Sequence, residues 1–293
     1  MWKEVRIKMA LKIKFIFFIL LLTGIKSFGQ HLETGRKSSP FILGQTDKLH
    51  SKILGEERTL NIYLPEGYSK ELSYPVIYLL DGSADEDFIH VAGILQHNNF
   101  PWVDRTKPSI LVGIANTNRK KDFTTTSTVK EDLAYIPNNG GSSKFIQFIA
   151  KELQPYINSA FKTSGKNTLI GQSLGGLLAL EILHDKPTLF NTYIIASPSL
   201  WWRNEYMLQD TYTWSKKYEN PTQVYIGVGT EGKMYEGIKS MEEAAQILAD
   251  RLQEGNPQNL HVHFDHLRDE NHATSGHQSI LNAFKWLSQL DKK

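Results

Sequence analysis

Apolar residues along this chain follow two rhythms. The segments K-L-H-S-K-I-L (48 to 54) and R-T-L-N-I-Y-L (58 to 64) flank Gly55-Glu56, which predicts two antiparallel strands joined by a tight turn. The runs P-V-I-Y-L-L (75 to 80) and S-I-L-V-G-I-A (109 to 115) are continuously apolar, as in strands covered on both faces. Shorter strands are predicted at 168–170, 193–196, 223–228 and 261–267. Between them the spacing changes. Phe145, Ile146, Phe148, Ile149 and Leu153 recur at helical intervals behind Ser142 or Ser143 as a cap, and further helices are predicted at 175–184, 241–253 and 278–290. Strands alternating with helices imply an α/β architecture: a mostly parallel central sheet, antiparallel N-terminal strands, and helices on both faces.

One stretch breaks the rule that an apolar run is only a core element. T-L-I-G-Q-S-L-G-G-L-L-A-L (168 to 180) carries Ser173 between Gly171 and Gly175. The serine falls where a predicted strand gives way to a predicted helix, the setting of a nucleophile elbow. Glycines on either side let strand and helix approach closely, and the helix N-terminus presents unpaired N–H groups to developing negative charge.

A serine nucleophile needs a base, and on an α/β-hydrolase fold the order is serine, acid, histidine. The loop before the last helix reads R-D-E-N-H-A-T-S-G-H (268 to 277). His272 is the expected base and His277 the second choice. After the preceding strand comes T-E-G-K-M-Y-E (230 to 236), making Glu231 the expected acid and Glu236 the alternative; Glu270 lacks a strand end of its own. The oxyanion hole is expected from the amides of Leu174 and Ser83, with Gly82 allowing close backbone approach. His261 and His263 alternate on one strand face, but without a third ligand at suitable spacing no metal is expected, and the chemistry needs no cofactor.

Composition removes other options. The 293 residues include no cysteine, which excludes disulfides, thiolate nucleophiles and zinc-thiolate sites. A net charge of +2 gives no argument for nucleic acid or a membrane surface as partner. At the N-terminus Lys12 and Lys14 precede the apolar run Phe15 to Leu22, and Ser27 and Gly29 stand at −3 and −1 before Gln30. That is the pattern of a cleaved secretory signal over residues 1–29, shorter than the ~20 residues a membrane span needs. Residues 30–293 are expected to form one catalytic domain, periplasmic or secreted.

P-V-I-Y-L-L-D-G, G-Q-S-L-G-G, S-P-S-L-W-W (197 to 202) and E-N-H occur in this order over residues 45 to 290. Together they resemble the esterase D–type α/β-hydrolases, a group that includes enterochelin and salmochelin esterases and carbohydrate-active feruloyl and acetyl esterases. The nearest likeness is to periplasmic siderophore trilactone hydrolases. The resemblance implies Ser173 and His272 as a catalytic pair and leaves the acid less fixed, since some members work with little help from a third residue. It also implies a basic R-x-R-D-x-T-P type segment after the 109–115 strand. Here N-R-K-K-D-F-T-T (118 to 125) keeps Arg119 and Asp122, but Lys121 replaces the second arginine and Thr125 the proline. Arg119 and Lys121, with Trp201 and Trp202 after a later strand, are the expected substrate-binding residues. The expected substrate is a small-molecule or oligosaccharide ester, a siderophore lactone first and a feruloyl or acetyl sugar second. The remaining alternative is a binding protein that kept the fold without the chemistry.

Overall fold

The computed structural model describes residues 38–209, 214, 218, 220–255 and 259–290. Residues 38–42 belong to an N-terminal unit and Leu43–Lys293 form a second one. The signal sequence read above lies outside the described residues.

The second unit is built on eight strands. β1 (Gln45–Ser51) and β2 (Glu56–Tyr63) are antiparallel, with Gly55 at φ +73° in the turn. The turn arrives three residues earlier than the hydrophobic pattern predicts. Glu152 explains the shift: its carboxylate accepts from the Ser51 hydroxyl and from the amides of Lys52 (3.0 Å) and Ile53 (3.2 Å), so Ile53 and Leu54 leave the ladder. β3 (Tyr74–Leu79), β4 (Ile110–Ile114), β5 (Thr163–Gln172), β6 (Thr192–Ala196), β7 (Thr222–Gly229) and β8 (Leu260–Leu267) complete the sheet. Its order is β1-β2-β4-β3-β5-β6-β7-β8, antiparallel across β1, β2 and β4 and parallel from β4 to β8.

Strand periodicity explains the two layers flanking this sheet. Val76, Tyr78 and Leu80 point into one buried cluster and Ile77 and Leu79 into the other, as period two requires. The first cluster is closed by α4 (Ser142–Phe148), which passes through a wide turn at Ile149–Leu153 into α5 (Gln154–Ala160), by α6 (Leu174–Asp185) and by α7 (Met241–Gly255). The second is closed by α1 (Phe88–Asn99) and α8 (Ser275–Leu290), which contribute Phe88, Val91, Leu95, Ile280 and Phe284. Short helices α2 (Arg119–Asp122) and α3 (Lys130–Tyr135) sit beyond the end of β4. This is the α/β-hydrolase fold. It gathers the ends of β3, β5, β7 and β8 at one edge, where such sheets bind ligands. Among the described residues no helix is long and apolar enough to cross a membrane.

Candidate active site

β5 ends at Gln172 and α6 begins at Leu174, so Ser173 alone makes the turn. Its backbone lies at φ +58°, ψ −119°, a region a side-chain-bearing residue occupies only when its surroundings impose it. Here they do. Ser173 N–H donates to the Ala196 carbonyl at 2.9 Å, and its own carbonyl accepts from Leu177 (3.0 Å) and Ser199 (3.1 Å). A Cβ on Gly171 would lie 2.4 Å from the Gly175 carbonyl oxygen, whereas one on Gly175 would make ordinary contacts at 3.5 Å. Of the two glycines, Gly171 is the one the close approach requires.

His272 stands in the loop between β8 and α8. Its Nε2 lies 3.1 Å from Ser173 Oγ and its Nδ1 2.6 Å from Glu231 Oε2. The loop is pinned from two sides, Gln172 Nε2 donating to the His272 carbonyl (2.6 Å) and Thr230 N to that of Glu270 (2.8 Å), and is braced within by the Asn271 side chain accepting from Ala273 N (2.9 Å). Glu231 follows the end of β7, its carboxylate nearly buried. Its Oε1 accepts from Gly229 N at 3.0 Å and from the Ser197 hydroxyl. Burial is the largest single influence on Glu231 and opposes its charge. Hydrogen bonds from His272 and Ser197, the imidazole's charge and the Gly229 amide together outweigh it and hold the carboxyl below the usual glutamate range.

The structure separates the alternatives. His277 Nδ1 faces His90 Nε2 at 2.8 Å across α8 and α1, and Glu236 is exposed on the loop after Glu231. His263 is stacked between Tyr225 and Trp286, ring centroids 5.4 Å from each, a packing role in place of the strand-face pair considered above.

A cavity of about 400 Å³ opens over Ser173 and His272. Leu174 and Trp201 line it, as does Arg119, with Lys120, Tyr135, Lys233 and Met234 added. Three expectations need correction. Lys121 does not line the cavity; the turn of α2 presents Lys120 instead, whose Nζ donates to the Tyr135 carbonyl at 3.0 Å. Trp202 is fully buried, its indole N–H shared between the carbonyl and hydroxyl of Thr125 at 3.2 Å each, so it packs the core while Trp201 faces the cavity. The Ser83 amide is already engaged, donating to Glu86 Oε2 at 3.2 Å. The segment Ser83-Ala84-Asp85-Glu86 forms a turn ahead of α1, Glu86 N–H donating to the Ser83 carbonyl at 3.1 Å, and this brings the Glu86 carboxylate back to the Ser83 amide.

Gly82 serves the fold more than the ligand. A Cβ there would lie 2.3 Å from Gly113 Cα, where the loop after β3 crosses β4, and its amide is taken by the Ile114 carbonyl at 3.0 Å. Arg119 is likewise committed, with Nε and Nη2 on the two oxygens of Asp81 at 2.6 and 2.8 Å. The sequence pattern alone gives no role to Ser197, Ser199, Gln172 or Lys233. Two of them were visible as the S-P-S repeat, and Lys233 as a cation two residues past the acid.

Residues 51–291 match the model of the family described as "Putative esterase". The chain belongs to this esterase family. It is 29% identical over 259 residues to a ferri-bacillibactin esterase of Bacillus subtilis, covering 82% of this chain and 88% of that protein. Among solved structures it is similar to an IroE-like serine hydrolase from Shewanella oneidensis (31% identity, TM-score 0.74, 84% of this chain and 80% of that one). The BES protein of Bacillus cereus is also similar (29% identity, TM-score 0.71, 86% and 98%). This esterase is a carboxylic ester hydrolase of the serine type.

Proposed function

We propose that Ser173, His272 and Glu231 form the catalytic triad of an exported esterase whose substrate is a siderophore lactone. The observation that carries the reading is the unbroken relay of 3.1 Å from Ser173 Oγ to His272 Nε2 and 2.6 Å from His272 Nδ1 to Glu231 Oε2. Ser173 Oγ attacks the ester carbonyl as its proton passes to His272 Nε2. Glu231, held ionised, orients the ring and stabilises the imidazolium. The carbonyl's electron pair moves to its oxygen, whose charge the Leu174 amide at the start of α6 stabilises in this reading. Collapse expels the alcohol with the proton from His272 and leaves an acyl-enzyme. Water, deprotonated by the same histidine, releases the acid.

The cavity supports the substrate class. Lys120 and Lys233 bring cations to its wall and Tyr135 and Trp201 bring aromatic faces, a combination suited to anionic aromatic groups such as catecholates. The relative named as a ferri-bacillibactin esterase points the same way. The aromatic wall equally suits a feruloylated or acetylated sugar, so the two classes are tested together. Purified enzyme is offered ferric and apo catechol trilactones beside feruloyl and acetyl sugars. The highest kcat/KM is expected for a trilactone; a preference for sugar esters would reverse the order. Export is supported by the basic start, apolar run and small residues before Gln30. N-terminal sequencing of the protein recovered from the periplasm or medium is expected to begin at Gln30.

A further inference from the structure

Ser199 is 1% exposed and its Oγ lies 3.3 Å from Ser173 Oγ. A buried hydroxyl is costly without a partner, and among the described residues the partner found for this one is Ser173. The proton inventory fixes the direction of the bond. A neutral His272 that donates from Nδ1 to the Glu231 carboxylate can only accept at Nε2, so the one hydroxyl proton of Ser173 goes there, Ser173 Oγ offers a lone pair and Ser199 donates. The main chain holds the pair together as well, with Ser199 N–H on the Ser173 carbonyl at 3.1 Å. Two residues earlier, Ser197 sits at φ +43° and turns its hydroxyl onto Glu231. The segment Ser197-Pro198-Ser199 thus grips both ends of the relay.

We propose that Ser199 is a catalytic residue that keeps a hydrogen bond on Ser173 Oγ through both half-reactions, an inference that rests on the reading of Ser173 as nucleophile. In acylation the Ser173 proton leaves for His272 while an Oγ lone pair forms the new C–O bond. In deacylation water adds to the acyl carbon and gives its proton to His272. The C–Oγ bond then breaks, its electron pair returns to Oγ, and the proton returns from His272. At both moments Oγ carries partial negative charge, so a neutral hydrogen bond becomes charge-assisted when it matters. Ser199 keeps its own proton throughout.

The test compares Ser199→Ala, Ser199→Thr and Ser173→Ala by stopped flow on p-nitrophenyl acetate, with thermal unfolding and inactivation by a fluorophosphonate alongside. Ser199→Ala is expected to slow acylation, deacylation and inactivation each by about tenfold, the scale of one lost hydrogen bond, with Tm unchanged. Ser199→Thr keeps the hydroxyl and is expected to recover most of each rate. Parental rates in Ser199→Ala overturn the proposal, as does a Thr variant no faster than the Ala one. Ser173→Ala separates the two readings. If it is inactive while Ser199→Ala is unimpaired, the Ser199 role alone falls; if Ser173→Ala still hydrolyses the ester, the nucleophile assignment falls and Ser199 with it.

Discussion

Arg119 and Asp81 form a two-pronged ion pair, Nε to Oδ1 at 2.6 Å and Nη2 to Oδ2 at 2.8 Å, and Nη2 reaches on to the Gln172 carbonyl at 3.3 Å. Asp81 opens the loop after β3 at φ +56°, and Gln172 is the residue before Ser173, the proposed nucleophile. One guanidinium therefore ties two active-site segments together. Partial burial works against its charge, yet the hydrogen bonds and attraction of Asp81, with Glu86 and Asp87 nearby, leave Arg119 more basic than usual. Its planar fork is spent within the protein, which makes it a positioning residue more than a ligand for substrate charge.

Lysine cannot reproduce that fork. Arg119→Lys is expected to cost about 1.5–3 kcal/mol of stability in urea unfolding, the range for hydrogen bonds to charged groups. It should lower kcat on neutral and anionic esters alike, because the loop and the residue before Ser173 lose their tie. A variant impaired only on anionic esters would show that Arg119 meets the substrate directly.

Much of this was legible in the chain. The runs at 75–80 and 109–115 announce inner strands because both of their faces are covered, and Ser173, Glu231 and His272 stand at the junctions a strand–helix alternation provides. What escaped was phase and side-chain commitment. Helix α1 carries Phe88, Val91, Ala92 and Leu95 at i, i+3, i+4 and i+7, a helical spacing absent from the elements predicted above. Lys120 and Lys121 are adjacent, and about 100° of rotation on a single helical turn decides which one meets the cavity. Trp201 and Trp202 divide for the same kind of reason, one to the cavity and one to the core. That Arg119 belongs to Asp81 depends on a contact spanning 38 residues, which no local pattern encodes.

The cations left for an anionic substrate are Lys120 and Lys233. Both are exposed at the cavity wall, so their attraction is screened by solvent. Replacing both with Gln is expected to raise KM for an anionic aryl ester roughly three- to tenfold, while p-nitrophenyl acetate is unaffected. The difference should shrink between low and high salt as screening takes over. Equal kinetics on charged and neutral esters would remove the electrostatic support for a catecholate substrate.

As the proposed base and acid, His272 and Glu231 would act in series, and their losses should differ. Removing the base leaves Ser173 with no proton acceptor, whereas removing the acid leaves an imidazole still held through its loop by Gln172. His272→Ala is expected to fall roughly 10–100-fold lower in kcat than Glu231→Ala, the pattern of triads in which base and acid have been removed singly. Because the glutamate's carboxyl is held below its ordinary range, its ionisation persists at mildly acidic pH. Glu231→Gln should therefore lower the plateau of kcat/KM without moving an acid limb in that region. A limb near the ordinary glutamate range that disappears in the Gln variant would contradict this.

Glu181 offers a test that activity cannot supply. It lies in α6, buried, with Oε1 accepting from Ser142 Oγ at 3.0 Å and Oε2 without a partner among the described residues. Burial raises its pKa, the Ser142 bond opposes the rise, Asp185 adds to it and Arg203 subtracts, and the result is a shift from 4.5 to about 7. In the folded protein the carboxyl thus holds its proton through a window where the unfolded chain has released it. Folding takes up a proton there, so stability declines as pH rises from about 4.5 to about 7 and stays lower above. Glu181→Gln keeps the shape and never ionises. At pH 8 it should be more stable than the parent by on the order of 3 kcal/mol, and the difference should vanish near pH 4, where the parent is also neutral. Urea unfolding of both proteins across that range measures it. A stability difference independent of pH would mean that Glu181 titrates normally in the fold, with water or a moved cation meeting its free oxygen.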